Sequence, residues 1–342
     1  MNSNGTMEQS SIQLVRVPCP RCGGTESVMV ACAKDRLYGV PGEYYAAECS
    51  GCGLWFQNPR PPLDRLSDLY PEDYSPHVKP EPVVLRRGAA AYLRRHMGYA
   101  ELKSDVGAGS RWASLSIFSP VRKWLAGVAL TPHYVPGGKL LEIGCASGAR
   151  LLYLRRLGWE SLYGIELMPA AAAQAREAGF AVLSGQIEQN LPAYPDGFFD
   201  VVVTSMVLEH LVDPFSVVRE AAKKLKPGGE FLFSTVIRGS LDFKLFGNYW
   251  SNFDFPRHMV YFSMADILSM LKDQFEAPEC FYQSAPADFS RPASWRLAEG
   301  AGGVFDRITL MLASSRLGNV IVFFMAKLGL TCRVSFRCRR KA

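Results

Sequence analysis

The second half of the chain alternates between short apolar runs and amphipathic stretches, which is the pattern of a largely parallel sheet covered by helices. The apolar runs predict five strands, at residues 140–143, 161–165, 180–183, 199–203 and 231–237. Between the second and third of these, the alanine-rich residues 170–178 predict a helix, and Pro169 suits its first turn. The alternation therefore predicts an α/β fold.

The pattern continues towards the C-terminus. Ser263 is placed to cap a helix over residues 264–271, and two further strands are predicted at 280–284 and 331–338. Residues 285–330 then form an insertion before the last strand. Within it, residues 304–330 predict one strongly apolar helix, which contains Phe305, Ile308, Leu310, Met311, Val320, Ile321, Phe323 and Phe324. A lid over an apolar substrate, a dimer face, a contact with a membrane surface and core packing would each explain this helix.

The first predicted strand runs into a loop with glycines at 144 and 148, and leucines follow at helical spacing. Strand, glycine turn and helix open a Rossmann-like unit, because glycine lets the backbone turn sharply and approach a ligand. The second predicted strand ends at Glu166, where an acid can accept both hydroxyls of a ribose. At this point two cofactors fit, a nicotinamide dinucleotide and S-adenosylmethionine.

Three later segments distinguish between these two cofactors. The fourth predicted strand is entered through Asp200, the run Leu208-Glu209-His210 follows it, and Lys226-Pro227-Gly228-Gly229 turns into the fifth strand. In this order the segments resemble the class I S-adenosylmethionine-dependent methyltransferases over residues 138–262. Within that class they look most like the small-molecule branch whose fourth strand runs into a Glu-His pair. The resemblance implies a Rossmann-like seven-stranded sheet.

It also implies an activity and a cofactor site. The expected reaction is methyl transfer from S-adenosylmethionine to an oxygen or carbon of a small-molecule, saccharide or lipid-linked acceptor. The implied cofactor contacts are Glu142, Gly144, Cys145, Ala146, Gly148, Glu166, Leu167, Gln186, Ile187 and Ser205. Glu142 stands where an acid commonly holds the cofactor's amino group. Ala146 replaces a glycine, although alanine does not take positive φ cheaply. Gln186 replaces an acid that accepts from the adenine amino group, and Ile187 would pack on the adenine face.

Removing a proton from a hydroxyl or a carbon acid needs a base near the acceptor. His210 and His258 are the candidates, since imidazole titrates near neutral pH. The aromatic-rich run that ends at His258 resembles the Trp…Pro-Arg-His signature of the same branch. For Glu209 we expect a structural hydrogen bond. A second interpretation is metal binding, because some quinone O-methyltransferases bind a divalent cation with Glu-x-x-Glu-His, but Met206 stands here in place of the first glutamate.

Two Cys-x-x-Cys-Gly knuckles precede this region and contain Cys19, Cys22, Cys49 and Cys52. Four thiolates close a tetrahedral zinc site with no open position, so we expect a structural zinc ion. The arrangement resembles the N-terminal zinc ribbon of some bacterial methyltransferases of sugars and natural products. We expect the other five cysteines, at 32, 145, 280, 332 and 338, to be small buried residues.

The predicted organisation is a disordered segment 1–13, a zinc ribbon 14–60, a linker and helical cap 61–135, and a methyltransferase domain 136–342. The net charge of +6 is mild, which argues against a nucleic-acid partner. Residues 1–13 lack the apolar core of a signal peptide, and no stretch reaches the about 18 apolar residues that span a bilayer. We therefore expect a cytoplasmic protein.

The apolar residues 304–330 add two options, peripheral contact with the inner membrane face and a homodimer. Two alternative functions stay open, a zinc-ribbon methyltransferase of rRNA or tRNA and a non-catalytic scaffold that only binds the cofactor. The chain has no Asn/Asp-Pro-Pro-aromatic run after the fourth strand, which argues against methylation of exocyclic amino groups on nucleobases.

Overall fold

The computed structural model describes residues 12–70, 87–99 and 130–342. Its strands are β1 (Ser27–Ala33), β2 (Tyr44–Cys49), β3 (Trp55–Gln57), β4 (Lys139–Ile143), β5 (Ser161–Glu166), β6 (Ala181–Ser184), β7 (Phe199–Ser205), β8 (Leu225–Val236), β9 (Val260–Tyr261), β10 (Glu279–Tyr282) and β11 (Arg333–Arg339). Its helices are α1 (Arg87–His96), α2 (Ala149–Arg156), α3 (Pro169–Glu177), α4 (Ile187–Asn190), α5 (Pro214–Lys224), α6 (Leu241–Phe246), α7 (Met264–Leu271), α8 (Ala287–Ala298), α9 (Val304–Ala313) and α10 (Arg316–Lys327). Short 3-10 helices include Leu63–Leu69, Leu208–His210 and Ser251–Phe253.

The larger sheet has seven strands in the order β10-β11-β8-β7-β4-β5-β6. The five strands from β4 to β8 run parallel, and β11 lies antiparallel to both β8 and β10. The strand order reverses between β4 and β7, and such a switch point opens a crevice at the carboxyl ends of the strands. The sheet confirms the predicted Rossmann-like fold.

Apolar residues on both faces of this sheet hold its centre together. On β7, Val202 packs into the cluster on one face, while Val201 and Val203 pack into the cluster on the other. All three are at most 1% exposed. Burying a side chain of this size contributes about 1.5–3 kcal/mol, so the central strands form a rigid base for the loops at their ends.

Two predicted helices begin as the sequence indicates. Pro169 occupies the first turn of α3. At α7 the backbone N–H of Ser263 donates to Asp266 Oδ2 over 2.8 Å, and the Asp266 N–H donates back to Ser263 Oγ over 3.2 Å. This capping box satisfies two backbone donors that a helix start would otherwise leave unpaired.

The prediction of one helix over residues 304–330 is wrong. The segment forms α9 and α10, which are bent by 94° at the break between them. The Ser314 hydroxyl donates to Leu310 O over 2.9 Å, and Ser315 Oγ accepts from the Gly318 N–H over 3.0 Å. These side chains compete with the helical backbone pattern and start a new helix. No helix of the described residues is by itself long and apolar enough to cross a bilayer.

The smaller sheet joins the N-terminal module to the larger domain. Its strands lie in the order β1-β2-β3-β9, all antiparallel, and β9 comes from the segment after β8. Trp55 and Phe56 of β3 pair with Tyr261 and Val260. The two parts of the chain therefore share one sheet.

Within the predicted linker and cap, the structure describes a 3-10 helix and α1, which ends before Gly98. Residues 71–86 and 100–129 of the predicted linker and cap lie outside the described residues, as do residues 1–11 of the segment predicted to be disordered.

The bend between α9 and α10 requires glycine at position 318. A Cβ there would lie 1.8 Å from Leu312 O. We expect Gly318→Ala to lower the free energy of unfolding by about 1–3 kcal/mol, the cost of overpacking. Urea unfolding measures this change. Gly303→Ala is the matched control, because its Cβ would meet no atom within 4 Å. Equal losses in the two variants would contradict the prediction.

Candidate active site

A cavity of about 480 Å³ lies at the switch point of the large sheet, where β4, β5 and β7 end. This volume lies in the range of small-molecule sites, about 300–1,000 Å³. Its wall is built from two distant parts of the chain. Leu37, Tyr38, Leu66 and Tyr70 come from the N-terminal part, and the remaining wall residues follow β4 in sequence.

Six of the ten predicted cofactor residues line this cavity: Gly144, Ala146, Glu166, Leu167, Ile187 and Ser205. The other four, Glu142, Cys145, Gly148 and Gln186, are not part of its wall. The fold therefore brings six of the predicted cofactor residues together in the wall of one cavity.

Glu166 connects the first loop to the end of β5. Its Oε2 accepts from the Ala146 N–H over 2.9 Å, and its Oε1 accepts from the Met168 N–H over 2.8 Å. The side chain is buried and still forms part of the cavity wall. A carboxylate in a cavity wall is a group that accepts from ligand hydroxyls.

Glu142 lies behind the loop and has one unpartnered oxygen. Its Oε1 accepts from Arg150 Nε over 2.9 Å, whereas the buried Oε2 has no hydrogen-bond partner among the described residues. Burial raises the pKa of Glu142 to about 7, although Arg150 opposes this shift. An orphaned buried acceptor fits a donor from a bound molecule or water.

The remaining loop residues have packing contacts. The Cys145 side chain packs in the core beneath the sheet, where a Cβ on Gly164 would lie 2.6 Å from its Sγ. Gly148 takes a φ of 87° and lies against Ala175 and Phe180. The Gln186 side-chain Oε1 accepts from Gln189 Nε2 over 3.3 Å. Cys145 can therefore offer a ligand only its backbone.

Three non-glycine residues of the described chain have positive φ, and all three line the cavity. They are Ala146 at 47°, Met206 at 55° and Asp254 at 38°. Left-handed backbone at such residues costs about 1–3 kcal/mol each and persists where the surroundings hold it, often at functional sites. The alanine that replaces a family glycine thus takes the glycine conformation.

The two candidate histidines meet in the cavity wall. Their ring centroids are 4.6 Å apart and their planes are nearly perpendicular, at 84°. His258 Nδ1 lies 2.8 Å from Asn252 O, which makes Nδ1 the donor and leaves Nε2 to accept. His210 Nδ1 lies 3.2 Å from both Tyr70 Oη and Arg257 O.

Burial lowers the pKa of both histidines. For His210 the pKa falls to about 3, mainly through desolvation and then through the neighbouring His258, while Asp254 opposes the fall. The pKa of His258 also falls, again mainly through desolvation, with Asp254 opposing. Both imidazoles are therefore neutral at pH 7, and each has one unprotonated ring nitrogen.

Glu209 is fully buried beneath these rings. Its Oε2 accepts from Thr235 Oγ1 over 2.8 Å, and its backbone carbonyl accepts from the Met259 N–H over 2.7 Å. Its Oε1 has no hydrogen-bond partner among the described residues, and burial raises its pKa to about 7. One ligand atom from each of Glu209, His210 and His258 lies within 4.8 Å of the others. His258 is therefore a third potential metal ligand beside the Glu-His pair, at which the sequence has Met206 in place of the first glutamate.

Arg257 links the histidines to the N-terminal module. Its guanidinium is fully buried and bidentate to Asp35, with both Nη–Oδ distances at 2.9 Å. It also donates to Asp254 Oδ1 from Nη2 over 2.7 Å. Sequence reasoning named Arg257 only within a signature and missed Asp35, because the two residues are 222 positions apart.

The cavity wall contains further residues that sequence reasoning did not assign. Tyr38 and Tyr70 come from the N-terminal part, and Arg291 and Arg333 come from α8 and β11. Arg333 is bidentate to Asp288, with distances of 2.7 and 2.9 Å. No local signal in the sequence indicates that Tyr70 contacts His210.

The two cysteine knuckles repeat one backbone pattern. The Gly23 N–H donates to Cys19 O and the Gly53 N–H to Cys49 O, each over 2.9 Å. The four sulfur atoms lie within 4.8 Å of one another, with the pairs Cys19–Cys52 at 3.6 Å and Cys22–Cys49 at 3.5 Å. A tetrahedral zinc ion with Zn–S bonds of about 2.3 Å needs sulfur atoms at nearly this separation. The residues present fit the ion.

The family profile described as a methyltransferase domain matches residues 118–274 of this chain. The chain carries a class I methyltransferase domain. The matched range contains the five parallel strands β4 to β8, the glycine loop and the Glu-His pair, and it confirms the resemblance seen in the sequence.

Similar proteins include two ubiquinone biosynthesis O-methyltransferases. That of Pectobacterium carotovorum is 32% identical over 155 residues, which are 42% of this chain and 64% of the relative. That of Ralstonia nicotianae is 34% identical over 161 residues, which are 44% of this chain and 65% of the relative. The chain thus spans just under two thirds of the length of these curated relatives. Among solved structures, a possible histamine N-methyltransferase from Thermotoga maritima aligns with a TM-score of 0.43 and 21% identity, over 64% of this chain and 89% of that one.

The strain at Ala146 can be measured. We expect Ala146→Gly to raise the free energy of unfolding by about 0.5–1 kcal/mol, because glycine takes positive φ without steric cost. The same substitution at exposed Ala170 in α3 is the matched control and should lower stability by about 0.5–1 kcal/mol. Thermal or urea unfolding gives both values, and a loss of stability in Ala146→Gly would contradict the assignment of strain.

Proposed function

We propose that the protein transfers a methyl group from S-adenosylmethionine to a hydroxyl oxygen of a small-molecule acceptor. The observation that carries the proposal is that one cavity contains both the Gly144–Glu166 cradle and the two neutral histidines. The names of the relatives, ubiquinone biosynthesis O-methyltransferases, support oxygen as the acceptor atom. A carbon acid is the alternative acceptor, because its activation needs the same base.

Residues on the sheet side of the cavity would hold the cofactor. Glu166 would accept from the ribose hydroxyls, Ile187 would pack on the adenine, and the loop at Gly144 and Ala146 would approach the methionine part. When bound, S-adenosylmethionine supplies an electrophilic methyl group on a sulfonium sulfur. Only glycine fits at this bend, because a Cβ on residue 144 would lie 2.5 Å from Val207 Cγ2.

The histidine pair would remove the acceptor proton. Asn252 O fixes the His258 ring through Nδ1, and Arg257 O lies at His210 Nδ1, so the two Nε2 atoms are available to accept. Asp254 Oδ2 lies 3.6 Å from His258 Nε2 and would stabilise the charge after proton transfer. Tyr70, in contact with His210, would orient the acceptor or the ring. Such proton transfer contributes about 10²–10⁴-fold to a rate.

The N-terminal knuckles would hold one structural zinc ion. No coordination position is left for a substrate once Cys19, Cys22, Cys49 and Cys52 are bound. An RNA-binding role for the ribbon finds little support, because its sheet is completed by β9 and its Asp35 is used inside the protein.

Measurements of cofactor binding and of methyl transfer distinguish the proposed cofactor-binding residues from the proposed catalytic histidines. In calorimetry we expect saturable binding of S-adenosylmethionine, lost in Gly144→Arg and weakened about 10-fold or more in Glu166→Ala, which loses one or two charge-assisted hydrogen bonds. His210→Asn and His258→Asn should bind the cofactor within about 2-fold of the unchanged protein and lose about 100-fold or more of methyl transfer.

Methyl transfer is measured with labelled cofactor and fractionated cell extract, and the labelled product identifies the acceptor. Circular dichroism checks that each variant is folded. Binding of NAD without binding of S-adenosylmethionine would overturn the proposal. Cofactor binding without transfer to any fraction would support a scaffold instead.

Removal of a cysteine ligand tests the proposal of a structural zinc ion. We expect one zinc ion per chain by elemental analysis and its loss in Cys22→Ser. Loss of the zinc ion should lower the melting temperature, because zinc binding contributes directly to folding. It should also reduce methyl transfer more than cofactor binding, since β9 and Asp35 tie the ribbon to the histidine loop. Cys280→Ser is the control, because Cys280 is distant in sequence from the knuckles and is exposed, so the expectation that it is buried is wrong. Full zinc content in Cys22→Ser with unchanged stability would contradict it.

A further inference from the structure

Residues 304–330, which contain the bent helix pair α9 and α10 and the short segment after it, carry most of the large apolar side chains that the described chain exposes. Ten of the seventeen such residues lie between positions 304 and 330. Val304, Phe305, Met311, Leu317, Phe324 and Leu328 are between 49% and 73% exposed. An apolar surface of this extent marks a place where a soluble domain meets a partner or a lipid surface.

These side chains are not needed for the protein core. The opposite side of the pair is already packed, with Val322 in a cluster with Phe246, Phe289 and Ala293. Gly318 and Ala326 are buried on that same side of α10. The pair is therefore amphipathic, with one side fixed to the protein and the other apolar and uncovered within the described residues.

The charges on the helix pair indicate which kind of partner it binds. Its charged residues are Asp306, Arg307, Arg316 and Lys327. Asp306 is only 1% exposed, because it accepts from the Gly303 N–H and lies 3.5 Å from Arg296. The exposed charges are thus three cations and no anion. A basic amphipathic helix of this kind fits a surface of anionic lipid headgroups.

A second copy of the chain fits the same surface less well. In a two-fold interface each residue of the pair faces the pair of the other copy, so six cations would approach one another without a carboxylate between them. Neither helix alone is long enough to cross a membrane, since α10 has 12 residues against the about 20 that a span requires, and only the two together reach that length. Their 94° bend allows both to lie along a surface.

We propose that the bent helix pair binds the surface of membranes that contain anionic lipids and lies in the headgroup region without crossing. This inference is independent of the proposed methyl transfer. It has one consequence for it: α8, which joins the pair through Arg296 and Asp306, also carries Arg291 in the cavity wall. The membrane contact and the cavity thus share one helix.

Vesicle co-sedimentation of the full chain tests this inference. We expect binding to phosphatidylcholine vesicles that contain phosphatidylglycerol to be about 100-fold tighter than to phosphatidylcholine alone, from three cations near the surface. The preference should fall as salt rises. The variant Phe305→Ser/Leu317→Ser/Phe324→Ser should lose about 10-fold or more of the binding, and Arg307→Glu/Arg316→Glu should lose the preference for anionic vesicles.

Two controls decide the outcome. Val28→Ser/Met29→Ser removes apolar side chains that are 64% and 62% exposed on β1 and should leave vesicle binding unchanged. Circular dichroism should show that all variants are folded, so that this test does not depend on cofactor binding. Equal binding to both vesicle types, or loss of binding in the β1 control, would overturn the proposal. If the triple serine variant changed the mass by light scattering from dimer to monomer with vesicle binding intact, the surface would be a dimer interface.

Discussion

The buried ion pair between Arg257 and Asp35 is the contact on which the cavity depends. A guanidinium that is fully buried needs compensation, and here two carboxylates, Asp35 and Asp254, surround it. Breaking such a buried pair by removing one partner typically costs about 3–5 kcal/mol, because an uncompensated charge remains. The Arg257 carbonyl lies at the His210 ring and His258 is the next residue, so the same contact fixes both imidazoles.

This contact makes the N-terminal ribbon part of the active-site architecture. Asp35 leaves the ribbon between β1 and β2, and Leu37 and Tyr38 beside it line the cavity. On the other side, the rigid parallel strands hold the glycine loop and Glu166. The cavity lies between the rigid sheet and a module that is held to it by the Arg257–Asp35 ion pair and by the pairing of β3 with β9. Three residues of its wall have positive φ.

Much of the fold could be predicted because its signals are local. Alternating apolar runs gave the strands, and the glycine loop, the acid at the end of β5 and the cysteine spacing each lie within a short stretch of chain. Contacts between distant segments could not be predicted in this way. Asp35 and Arg257 carry no mark that pairs them, and Tyr70 looks like any aromatic residue in a helical stripe.

Local signals can also mislead when two of them compete. The apolar content of residues 304–330 outweighed the Ser314-Ser315 pair, although the serine hydroxyls decide where α9 ends. Cys145 lies in the right loop, but side-chain direction depends on the strand behind it, and Gly164 leaves the space that the sulfur fills. Position in a motif fixes the backbone more reliably than it fixes the side chain.

The strand pairing of β3 with β9 has a consequence for the ancestry of this protein. A domain that merely hangs on a tether can be exchanged between enzymes by recombination, whereas a sheet completed by both parties requires matched residues in each. Grafting this ribbon onto an unrelated catalytic domain would leave the edge of β3 without a partner strand and Asp35 without its arginine. The two halves are therefore expected to be inherited together and to diverge in step.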